Sequence, residues 1–110
     1  MTIDKNGLRM LRGDTEQLSV SCQWEDGTPR HFEDGDRVTF TVAWSRGVVL
    51  QKTVTSFQDG VAVFVLSHAD TNDLTPGEYS YDVQLTARDG TVKTILPPAR
   101  FVLEEDVTRD

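Results

Sequence analysis

The sequence predicts an all-β protein, an antiparallel β-sandwich of about seven to eight strands with one short helical turn. Three observations carry this. Apolar and polar side chains alternate with a period of two along residues 37–45 and 79–87, the pattern of strands with one buried face. Turn-forming pairs recur at short intervals, at Gly13 and Asp14, Asp59 and Gly60, Pro76 and Gly77, and Asp89 and Gly90. Helix signals are confined to residues 67–74, which excludes repeated strand–helix–strand units.

Residues 1–6 are expected to be a flexible start, and residues 7–12 a short edge strand with Leu8 and Met10 on one face. After a turn at residues 13–15, Leu18, Val20 and Cys22 alternate with Ser19 and Ser21, and the pattern continues to Trp24 on the same side. Residues 25–36 read as the longest loop, punctuated by Gly27, Pro29 and Gly35, with Phe32 able to tuck beneath it. The strand at 37–45 turns Val38, Phe40, Val42 and Trp44 inward. Arg46 and Gly47 form the expected hairpin tip to a strand at 48–56, whose apolar residues fall on both sides, as at an edge or an interface. Residues 61–66 are apolar throughout, with Ala62, Phe64 and Leu66 assigned inward and Val61, Val63 and Val65 outward.

Ser67 stands in a helix N-cap position with Asp70 three residues later, a capping-box spacing that predicts one to two turns over 67–74. Pro76 and Gly77 end that helix. The strand at 79–87 buries Tyr79, Tyr81, Val83 and Leu85. A hairpin at Asp89 and Gly90 returns it, with Val92, Thr94 and Leu96 on one face. Pro97 and Pro98 then break the chain before a last strand at 100–104 with Phe101 and Leu103 inward, and residues 105–110 form a flexible acidic tail.

With 110 residues the chain fits one domain, residues 1–110, around a single two-layer core. A hydrophobic content of 37% beside 26% charged residues is that of a folding chain. The excess of 18 acids over 11 bases, net charge -7, repels phosphate backbones and anionic membranes, so neither nucleic acid nor membrane is an expected partner. Residues 1–14 lack the apolar core of a signal peptide and no window approaches the roughly 18 apolar residues of a membrane span, so neither export nor anchoring is expected. Cys22 is the only cysteine, which rules out an internal disulfide and suits a reducing cytoplasm.

No constellation of catalytic residues emerges, and no catalytic, cofactor-binding or metal site is expected. Glu33, Asp34 and Asp36, and Asp70, Asn72 and Asp73, lack the ligand spacing of a calcium loop. His31 and His68 are too few to build a zinc site with Cys22, which reads as a small core residue. Ser67, His68 and Asp70 are explained as a helix cap, and phosphate-loop patterns are absent. Trp24 and Trp44 are assigned to the core in preference to stacking platforms, since each falls on the apolar side of its strand.

The run Asp70, Thr71, Leu74, Pro76, Gly77, Tyr79, Tyr81, Asp82 and Val83, followed by Asp89, Gly90, Thr94, Phe101, Asp106, Val107 and Thr108, resembles a family of small immunoglobulin-like proteins of bacteriophage and prophage structural-gene clusters. Residues 12–15 and the strand at 35–42 look like that family's opening strands. The resemblance, which is also to the N-terminal domain of baseplate upper proteins, implies an immunoglobulin-like sandwich and a non-enzymatic virion protein associated with tail or baseplate. It further implies assembly in the bacterial cytoplasm and contacts with other virion proteins or with itself as a homo-oligomer. Leu74, Gly77 and Tyr79 stand as in a tyrosine corner, and Tyr81 occupies the place where an immunoglobulin domain has its second cysteine. The rival is an immunoglobulin-like binding module for a host-surface ligand such as a glycan. Two readings of the outward valines, Val49, Val61, Val63 and Val65, stay open: a subunit interface, or a central strand covered on both faces by loops.

Overall fold

The computed structural model describes residues 1–4, 6–45 and 47–108. The expected hairpin tip at Arg46, and Lys5, Arg109 and Asp110 of the two expected flexible ends, lie outside the described residues. The fold is all-β, with one helical turn. In chain order the strands are β1 (Thr2–Asp4), β2 (Gly7–Leu11), β3 (Glu16–Val20), β4 (Cys22–Gln23), β5 (Pro29–Arg30), β6 (Arg37–Trp44), β7 (Gly47–Val54) and β8 (Ala62–Leu66). The helix α1 (His68–Thr71) precedes β9 (Gly77–Thr86) and β10 (Val92–Glu104).

The larger layer is a six-stranded sheet in the order β1-β2-β10-β9-β6-β7. Facing it is the β3-β8 ribbon, and β4 and β5 form a small separate pair. Every pairing is antiparallel except β2 with β10, which run parallel from Leu8 beside Phe101 to Leu11 beside Glu104. Side chains alternate across each strand, so one face of each layer supplies the core. Val38, Phe40 and Val42 of β6, and Tyr79, Tyr81, Val83 and Leu85 of β9, meet Leu18, Val20, Ala62, Phe64 and Leu66 of the ribbon. Phe40 is central, 5.8 Å from the Phe64 ring across the layers and 5.6 Å from Tyr81 within its own sheet. Burial of a side chain of that size contributes about 2–3 kcal/mol.

Four expectations are corrected. Residues 2–4 form β1, paired with β2, so β2 is interior and not an edge strand. Pro97 and Pro98 do not break the chain: β10 runs continuously past them, and they sit in a bulge between Leu96 and Ala99 on an edge facing solvent, where a missing N–H costs no ladder bond. A further bulge at Ile95 shifts register between Thr94 and Leu96, so Leu96 faces inward opposite Val83 while Val92 and Thr94 face out. Trp24 and Trp44, expected in the core, are 55% and 58% exposed. Alternation stops at Gln23 because Trp24 starts a turn: its N–H donates to the Thr28 carbonyl and its carbonyl accepts the Gly27 N–H. Trp44 is the last residue of β6, and Ser45 follows it with φ 57, which ends the strand.

Candidate functional site

The outer face of the β3-β8 ribbon is the first candidate. Val65 lies beside Gln17 and Val63 beside Ser19, and these four side chains point away from the core. Val65 is 49% exposed, while Val61 and Val63 are half-buried. Val49 does not join them. It is the extra residue of a β7 bulge, between Leu50 opposite Val42 and Val48 opposite Ala43, and it packs against the core. The face has no charged side chain among Gln17, Ser19, Val63 and Val65, although the molecule carries a net charge of -7.

The second feature is the crossing between the layers. Tyr79 is buried and its hydroxyl donates to the Thr75 carbonyl, four residues back, across the Pro76 and Gly77 turn. Leu74 packs against the core from the same segment, and its N–H donates to the Thr71 carbonyl. Burial raises the Tyr79 phenol above its ordinary value, as it does for Tyr81. At the same end the exposed Trp44 ring stands edge-on to Tyr79, 5.8 Å between centroids, beside Thr75 and Glu78.

The third feature, at the opposite end, was not apparent in the sequence. Asp36 is only 3% exposed and ties the long loop to the β9-β10 hairpin. Its Oδ2 accepts from Arg30 Nη1 and from the Glu33 N–H, each at 3.1 Å, and its Oδ1 accepts the Arg88 N–H at 3.2 Å. Burial alone would raise its pKa. These donors outweigh burial and hold the carboxyl below the ordinary aspartate range. Arg30 in turn lies over the Trp24 ring, 5.4 Å from guanidinium carbon to centroid, and near Phe32 at 6.0 Å. The Phe32 ring is buried against Phe57, 5.3 Å away, as its place in the loop suggested. The only sequence cue to this hub was a lone arginine at position 30 within a mostly acidic loop.

The remaining polar residues singled out in the sequence hold structure together. Asp70 accepts the Ser67 N–H and pairs with Lys52 Nζ, both at 2.8 Å or less. Burial opposes these contacts, yet they keep Asp70 below its ordinary value. His68 Nδ1 lies 2.7 Å from the Gly13 carbonyl and His31 Nδ1 3.3 Å from that of Asp59. Cys22 is a buried thiol in the core cluster. Among the described residues no group of three or more His, Cys, Asp or Glu side chains converges as metal ligands would. No protein-family model matches the chain, and no curated protein sequence matches it.

Proposed function

We propose that the chain is a non-enzymatic structural protein of a bacteriophage or prophage virion, associated with tail or baseplate, that works through protein–protein contacts. The observation that carries the contact reading is the uncharged outer face of the β3-β8 ribbon, with Val65 exposed and Val61 and Val63 half-buried on an acidic molecule. Apolar surface of this kind gains by burial against a partner, and a second copy meeting it there buries no charged side chain among Gln17, Ser19, Val63 and Val65. Strand pairing supports the immunoglobulin-like part of the reading. With β2, β3, β6, β7, β8, β9 and β10 taken as A, B, C, C′, E, F and G, the β3-β8 pair and the β6-β9-β10 order reproduce the B–E and C–F–G neighbours. The Tyr79 hydroxyl bond to the Thr75 carbonyl supports the corner. Mass spectrometry of particles purified from the producing bacterium tests the proposal. The chain is expected at a fixed ratio to tail proteins, and its absence from intact particles contradicts a virion role.

The two exposed tryptophans favour a second reading, a module binding a host-surface glycan. Aromatic rings open to solvent stack on sugar faces, and Trp44 is held edge-on by Tyr79. A glycan-array signal lost in Trp44→Ala would favour this reading over assembly.

A further inference from the structure

We infer that the open side seam of the sandwich, between residues 21–25 and the Lys93–Leu96 stretch of β10, accepts one extended β-strand segment from another protein. An unpaired stretch of strand edge faces a short wall of chain there. β10 pairs with β9 along its length but with β2 only from Phe101 to Glu104, so among the described residues no strand lies beside its outer edge between Val92 and Ala99. Among the described residues β4 is paired only with β5. An open cleft of about 450 Å³ lies between them, lined by five consecutive residues, 21–25, on one wall and by Lys93, Ile95 and Leu96 on the other. The backbone groups of Trp24 are engaged in its own turn, so the free edge of β10 is the one that can pair with an added strand, and residues 21–25 form the facing wall.

The lower half of the same seam shows what fits such a space. There β2 lies along β10, β1 pairs with β2, and the amino group of Met1 reaches Glu16 of β3 at 2.8 Å. The chain closes that half with its own strands, and the upper half has the same free edge with no strand supplied. An extended segment is the occupant whose donors and acceptors match a strand edge, so its main chain provides affinity and its alternate side chains provide selectivity. Its apolar side chains meet Ile95 and Leu96, both half-buried against the core, and the exposed ring of Trp24. A carboxylate on the segment meets Lys93. Pro97 and Pro98 lack N–H groups, which ends the donor row and limits the paired length to about five residues. The inference does not rest on the virion reading, because the occupant is a foreign strand and the surface is distinct from the valine face.

The test is selection from a random linear-peptide library on the immobilised 110-residue chain, followed by titration of the recovered peptides and amide NMR. Peptides with alternating apolar residues are expected. They should shift amide signals of residues 22–25 and 92–96, and bind at least about tenfold more weakly to Ile95→Lys and to Trp24→Ala. Both variants change half-buried or exposed side chains, and an unchanged far-UV spectrum shows that they fold. Recovery of no binding peptide overturns the inference, as does a binding footprint on residues 47–54 or 61–65. Concentration-dependent shifts at residues 92–96 in the free protein also overturn it, because a second copy would then occupy the seam.

Discussion

Individual residues hold the two ends of the sandwich through buried polar contacts. Tyr79→Phe removes the hydroxyl bond to Thr75 and is expected to lower stability by about 1–3 kcal/mol in chemical denaturation. An unchanged midpoint would mean that the bond contributes nothing to the crossing. At the other end, Asp36→Asn leaves Arg30 without its carboxylate and should cost about 1–3 kcal/mol. The sign of the pH effect follows from the depressed pKa of Asp36. The folded chain binds that proton less readily than the unfolded chain, so the stabilisation is complete above the ordinary value of 3.8 and is lost as pH falls below it. Acid titration of stability should therefore show a shallower loss below about pH 4 in Asp36→Asn than in the wild type. Tyr79 was legible because a strand-initial tyrosine after Pro76 and Gly77 has few places to point. Asp36 was not, because its three donors come from Arg30, Glu33 and Arg88, and only folding brings position 88 to position 36. Trp24 and Trp44 misled for a related reason: period-two alternation says which side a residue faces, and says nothing of whether another layer covers that side.

At the scale of elements, legibility followed regularity. β6, β8 and β9 could be read because their ladders are unbroken where the pattern is clean, and apart from Trp44 at the end of β6 each buries the residues its alternation marks. β10 could not be read as one strand, because the Ile95 bulge moves Val92 and Thr94 to the outer side while the chain stays extended. β1 and the parallel β2–β10 pairing were invisible, since three exposed residues carry no pattern and parallel partners are remote in sequence. That pairing depends on Gly7, which has φ 116 and whose missing side chain would collide with the Arg100 backbone. Gly7→Ala should destabilise by more than about 1 kcal/mol, measured as a lowered unfolding midpoint. Wild-type stability in this variant would show that β2 reaches β10 by another path.

The whole molecule is an elongated body, 43 × 24 × 23 Å, with a net charge of -7 and no charged side chain among Gln17, Ser19, Val63 and Val65 of the outer ribbon face. Thermal unfolding in EDTA and in millimolar calcium is expected to superimpose, since Asp36 and Asp70 already hold cationic side-chain partners; a calcium-induced rise of several degrees contradicts this. Burying the exposed halves of a few valines gains about 25 cal/mol per Å², much of it offset by the cost of association, so a weak complex fits as well as a tight one. Repulsion between two acidic copies opposes association at low ionic strength and weakens as salt screens it. The most direct measurement is sedimentation equilibrium across protein concentration at low and high salt, on the wild type and on Val63→Asp. A dimer or larger species that strengthens with salt, and reverts to monomer in Val63→Asp with the far-UV signal intact, is the predicted result. A wild type that stays monomeric at millimolar concentration in salt contradicts it and makes the domain a module that needs a different partner.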